Sequence, residues 1–229
     1  MNEYSYVKRN YEQLLSEIAD ISARVGAPLP KLVAVTKSAT DEELLALAES
    51  GVAAIGENRP QELARRGALL KEHGYSPELH QIGSLQSNKV KLIAPISELI
   101  HSVDSESQLR ELSRAAKRLE RDISVLIEIN SAEEPQKGGI LPTEAERFLE
   151  TVLSYDGIRP IGLMTMGPAI AAEELRPYYR STKLLFDKLR SRYGFGEYPV
   201  LSMGMSDSYK IAIEEGSTLV RVGRKLFIK

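Results

Sequence analysis

The chain has 229 residues, 42% hydrophobic and 27% charged, with 30 Lys+Arg against 32 Asp+Glu for a net charge of −2. That length suits one α/β barrel, and the near-neutral balance offers no electrostatic case for binding nucleic acid or an anionic membrane. The absence of cysteine excludes structural disulfides, thiolate nucleophiles and cysteine-ligated zinc.

The polar start, Met1-Asn2-Glu3-Tyr4, lacks the charged and apolar regions of a secretory signal, and no run has the length of a membrane span. A cytoplasmic monomer is the expectation. Residues 4–25 place Tyr11, Leu14, Leu15, Ile18 and Ile21 at helical spacing. The run Leu32-Val33-Ala34-Val35 reads as a buried strand, and Thr40 with Glu43 three residues later forms a capping box that opens a helix. This strand–loop–helix unit then repeats. Strands are predicted at 52–56, 79–82, 99–103, 123–129, 160–164, 200–203 and 219–222, and helices at 61–72, 88–94, 106–119, 144–154, 171–193 and 207–214. The alternation predicts a (β/α)8 TIM barrel with an extra N-terminal helix, residues 1–229 forming a single domain. An open doubly wound sheet has the same local pattern. The polar loop 131–139 is expected to be mobile near the mouth.

In such barrels the functional residues sit at the C-terminal ends of the strands. Lys37 follows the first strand and is expected to be desolvated at the rim. Desolvation favours the neutral amine, and a neutral amine attacks an aldehyde. The alternative is a strand-end lysine that snorkels to solvent. Gly204-Met205-Ser206-Asp207 joins the seventh strand to its helix. Gly204 permits positive φ or a close approach, and Ser206 suits an N-cap whose helix offers free N–H groups to a phosphate. Gly223, after the eighth strand, would complete that cup with its backbone N–H. Phosphate commonly binds in such barrels at the loops after strands seven and eight. In the plainer reading Ser206 caps its helix and the glycines turn the chain. Arg221 either faces inward or forms an ion pair at the rim. Closure of the barrel would make strands one and eight neighbours and bring lysine, arginine and cup together. His73, His80 and His101 lack metal-ligand spacing; His80 either lines the pocket or is a satisfied core residue.

Six blocks resemble one family: Val33-Ala34-Val35-Thr36-Lys37, Gly56-Glu57-Asn58-Arg59-Pro60-Gln61-Glu62, His80-Gln81-Ile82-Gly83-Ser84-Leu85-Gln86-Ser87-Asn88-Lys89, Gly162-Leu163-Met164-Thr165-Met166, Ser202-Met203-Gly204-Met205-Ser206-Asp207 and Val220-Arg221-Val222-Gly223. In order and across nearly the whole chain, they resemble the pyridoxal phosphate homeostasis proteins of the YggS/PROSC type, whose barrel is similar to the N-terminal domain of alanine racemase. The resemblance implies pyridoxal 5′-phosphate (PLP) as cofactor, held as a Schiff base by Lys37. It also implies Ser206, Gly223 and neighbouring N–H groups at the phosphate, Asn58, His80 and Met203 around the pocket, and Arg221 at the pyridine nitrogen. Such a protein buffers PLP and passes it to PLP-dependent apoenzymes without efficient catalysis.

The C-terminal end departs from the family pattern. Arg224 stands where threonine is often found and Ile228 where glycine is usual, so Arg224 either supplies charge in place of a hydroxyl or points away. The competing expectation is a PLP-dependent amino-acid racemase. Racemisation needs a base on each face of the substrate carbanion. Lys37 supplies one; in racemases sharing this barrel the other is a tyrosine of a second domain, which this sequence is expected to lack. A third expectation is a barrel for another phosphorylated ligand, with Lys37 as charge partner. Lys137, in the polar loop, is a candidate to accept the aldehyde transiently during release.

Overall fold

Strands covered on both faces read as continuous apolar runs, and the runs picked out above become parallel strands. The computed structural model describes residues 3–134 and 136–229. Its strands are β1 (Lys31–Val35), β2 (Ala54–Glu57), β3 (Glu78–Gln81), β4 (Leu99–Val103), β5 (Ile123–Ile129), β6 (Ile158–Thr165), β7 (Val200–Ser202) and β8 (Leu219–Val222). They close into one barrel in chain order. The closing pair is β1 with β8, Val33 against Arg221 and Ala34 against Val222, which excludes the open sheet.

The helices are α1 (Ser5–Val25), α2 (Asp41–Glu49), α3 (Pro60–Glu72), α4 (Val90–Ile93), α5 (Glu106–Leu119), α6 (Ala145–Leu153), α7 (Arg176–Tyr193) and α8 (Tyr209–Glu214). The extra helix α1 buries Tyr11, Leu14, Ile18 and Ile21 on one face and joins a cluster with Leu44, Leu47, Val220 and Leu226. It stops where Gly26 takes φ 66°, a conformation that suits glycine at a helix end. The capping box of α2 is complete: Glu43 N donates to Thr40 Oγ1 at 3.2 Å and Thr40 N to Glu43 Oε2 at 2.7 Å. Such a cap contributes about 1 kcal/mol. The Tyr6 hydroxyl donates to the same carboxylate and ties α1 to α2. Inside the strands, Val33, Val35, Leu99, Leu126, Met164 and Leu219 form a separate small core.

Strand bounds shift by up to two residues, β2 starting at Ala54 and β6 at Ile158, and three helices differ from the sequence reading. The helix expected at 88–94 is a 3-10 turn, Ser87–Lys89, followed by the single turn α4. The helix expected at 171–193 divides into a 3-10 turn, Ala172–Leu175, and α7, with Pro177 in its first turn, where a missing N–H costs little. The last helix begins at Tyr209 rather than 207. Residue 135 of loop 131–139, expected to be mobile, lies outside the described residues; the segments flanking the loop are tied together, Asn130 N donating to Ile140 O at 2.9 Å and Ile140 N to Glu128 O at 2.8 Å. Among the described residues no helix is long and apolar enough to cross a membrane.

Candidate functional site

Lys37 lies on a turn in which Ala39 N donates to Thr36 O at 2.8 Å. Side chains pin both ends of that turn. Thr36 Oγ1 donates to Glu57 Oε1 at 2.5 Å, and Arg66 Nη2 donates to Ala39 O at 2.8 Å. Arg66 and Glu57, both buried, approach to 3.1 Å. Burial pushes the Glu57 carboxyl up, opposed by the Thr36 hydroxyl and the Arg66 charge. The backbone of Lys37 is thus held from behind by a buried ion pair. Its side chain is exposed, which corrects the expectation of a desolvated amine: the end of β1 opens onto solvent rather than onto packed side chains.

A cavity of about 350 Å³ opens at this end of the barrel, and Lys37, Asn58, Ser206, Arg221, Gly223 and Arg224 all line it. Six of the eight expected residues therefore share one cavity. Arg221 is 3% exposed. Its Nη1 donates to Ser202 Oγ at 2.5 Å and its Nη2 to Thr165 O at 3.0 Å; burial lowers its pKa to about 10. Asn58 is positioned by Gln81, whose Nε2 donates to Asn58 O at 3.0 Å. Gly83 is required beside it, because a Cβ there would lie 2.4 Å from Asn58 O. Gly223 N donates to Ser206 Oγ at 3.2 Å, so the two residues expected at a phosphate touch. Arg224 pairs with Asp207 at the exposed edge. Met166, Ile170 and Met205 form an apolar wall.

Three expectations about side chains need correction. Ser206 does not cap α8; Ser208 occupies the N-cap position, because the turn after β7 runs two residues further. Met203 is fully buried and packs in the cluster outside the strands, since the alternation of β7 turns Ser202 inward and Met203 away from the cavity. His80 is absent from the cavity lining. It lies deeper, 1% exposed, with Nδ1 2.9 Å from His101 Nε2 and Nε2 3.1 Å from Glu78 Oε2. Lys137 pairs with Glu134 at 3.1 Å and does not line the cavity.

The family profile described as "Alanine racemase, N-terminal domain" matches residues 10–228. A pyridoxal phosphate homeostasis protein of Aquifex aeolicus is 37% identical over 203 residues, 88% of each chain. The chain belongs to this family. Among solved structures, an unknown protein from Bifidobacterium adolescentis superposes with a TM-score of 0.89 at 31% identity, covering 99% of this chain and 97% of that one. PipY of Synechococcus elongatus, solved with PLP bound, gives 0.84 at 26% identity, covering 97% and 100%.

For a member of this family, the sequence reading missed the polar residues beneath the cavity. His101 and Ser202 are fully enclosed and hydrogen-bonded at 3.0 Å. Glu128, 7% exposed on β5, has its pKa raised to about 7 by burial, with Asp104 adding and Arg221 opposing. The available signal was strand parity. A polar residue inside a strand covered on both faces needs a partner, and these fall at inward positions.

Proposed function

We propose that this protein holds PLP at the mouth of the barrel and hands it on to recipient apoenzymes, without turning over a substrate of its own. The observation that carries this is a single cavity lined by an exposed lysine without a hydrogen bond or ion pair among the described residues, a buried arginine and the Ser206–Gly223 pair. The cavity volume lies at the lower end of the range for small-molecule sites, about 300–1,000 Å³. The donor set fits the group: a primary amine, a guanidinium, and a hydroxyl beside a backbone N–H. PLP supplies an aldehyde that condenses reversibly with a primary amine. Lys37 Nζ is that amine, and the pinned Thr36–Ala39 turn fixes where it can reach. Arg221 already spends two N–H groups on Ser202 and Thr165; its remaining donors would meet the ring nitrogen and would disfavour a proton there. Ser206 and Gly223 hold the phosphate, with Arg224 adding charge at the outer edge, and Asn58 flanks the ring.

Carriage rather than catalysis is supported by the relatives, which are named homeostasis proteins, and by the open rim, where Met166, Ile170 and Met205 are 40–41% exposed. A site that must release its cofactor needs such an exit. The test is a pair of assays on the purified protein: uptake of PLP followed by its visible absorption, and reconstitution of a PLP-dependent apoenzyme by the loaded protein. Uptake and transfer with racemase activity at background are expected. Robust turnover of alanine or another amino acid would overturn the carrier reading.

A further inference from the structure

We propose that Glu78, at the barrel rim opposite the cavity, is a positioning residue for Arg221, acting through His80, His101 and Ser202 in a one-way hydrogen-bond chain. The inference rests on the reading above that Arg221 faces the ring of PLP.

The chain crosses the barrel. Arg221 Nη1 (β8) meets Ser202 Oγ (β7) at 2.5 Å, and Ser202 Oγ meets His101 Nδ1 (β4) at 3.0 Å. His101 Nε2 meets His80 Nδ1 (β3) at 2.9 Å, and His80 Nε2 meets Glu78 Oε2 at 3.1 Å. Lys31, at the start of β1, pairs with the same carboxylate oxygen. Arg221 and the three intermediate groups are enclosed: Arg221 is 3% exposed, His80 1%, His101 0% and Ser202 0%. Glu78 and Lys31 reach solvent, with side chains 39% and 38% exposed.

With both histidines neutral, the form that burial favours by lowering the pKa of each, the carboxylate end allows one polarity. A guanidinium only donates and a carboxylate only accepts. Ser202 therefore accepts from Arg221 and donates to His101 Nδ1; His101 donates from Nε2 to His80 Nδ1; His80 donates from Nε2 to Glu78. Both neutral rings are then Nε2–H tautomers. No carboxylate touches Arg221 directly among the described residues; its hydrogen-bond acceptors are the neutral Ser202 Oγ and Thr165 O. A buried cation without a carboxylate in contact is costly, and the buried Glu128 favours its charge only from a distance. Aligned hydrogen bonds polarise one another, so the Glu78 anion offsets part of that cost and biases Arg221 towards one orientation. Residues lining the cavity hold PLP; this chain sets the group that meets its ring.

The test uses the full-length protein in two arms. In the PLP-free protein, nitrogen NMR of labelled histidines reads the tautomers: His80 and His101 are expected as neutral Nε2–H forms, and an Nδ1–H form at either ring would overturn the chain. In the loaded protein, Glu78→Gln removes the charge but keeps the side chain's size, and Ser202→Ala cuts the chain beside Arg221. Each is expected to shift the visible band of bound PLP and weaken retention about threefold to tenfold, with Lys37 still trapped by borohydride. A wild type that takes up no PLP contradicts the proposed function itself. Uptake with an unmoved band and unchanged retention in Glu78→Gln contradicts the positioning role alone.

Discussion

At the mouth of the barrel Lys37 is exposed and makes no hydrogen bond among the described residues, whereas along the axis His80, His101, Ser202 and Arg221 are each 3% exposed or less and hydrogen-bonded. The two regions belong to one barrel, Lys37 after β1 and the axial groups on β3, β4, β7 and β8, and differ in what holds their side chains. The mouth lysine is fixed through its backbone, by the Thr36–Glu57 and Arg66–Ala39 bonds behind it, which leaves the amine free to react. The axial groups are fixed through their side chains, and of them only Arg221 also lines the cavity. A residue that bonds to a ligand and later lets it go belongs in the first class; a residue that aligns another, or is itself held in place, belongs in the second.

Lys37→Ala is expected to abolish the visible band of bound PLP while leaving the melting temperature nearly unchanged, because an exposed side chain without partners contributes little stability. A large loss of stability would show that the lysine is structural. Arg66→Met should act in the opposite way. It leaves Glu57 buried beside an apolar group, and breaking a buried pair costs about 3–5 kcal/mol, read from urea unfolding. A change below about 1 kcal/mol would mean that the turn is not held from behind.

Glu128 sharpens the contrast through pH. Its carboxyl titrates near pH 7 in the fold, against an ordinary value of 4.5. Below the ordinary value both states are protonated and nothing is lost. Between the two values only the unfolded chain ionises, so stability falls as pH rises, by at most roughly 3 kcal/mol, and levels above pH 7. Glu128→Gln stays neutral and should gain on the wild type over that window. Parallel stability–pH curves would contradict this. The smallest effect is expected at Arg224, an exposed residue paired with Asp207. Arg224→Ala should weaken PLP retention less than about fivefold, with the difference shrinking in high salt. A larger, salt-independent loss would make Arg224 a principal phosphate ligand.

Much of the barrel was legible because its strands are buried on both faces: the bounds of β4, β5 and β8 agree with the apolar runs that predict them. Closure was not legible, since the pairing of Val33 with Arg221 joins chain segments from opposite ends. Lys37, Arg221, Ser206 and Gly223 could be singled out from strand ends and glycine turns, and they line one cavity. Met203 is displaced from that cavity by side-chain direction on the short β7 and His80 by its depth in the barrel, neither of which a motif carries. The contact between His80 and His101, 21 residues apart, depends on the register of β3 against β4, and no local spacing encodes it.

The most direct measurement is reduction of the PLP-incubated wild-type protein with borohydride, followed by peptide mapping. The account predicts one modified site, in the peptide that contains Lys37. Label spread over surface lysines, label at another single lysine, or no label at all would contradict it.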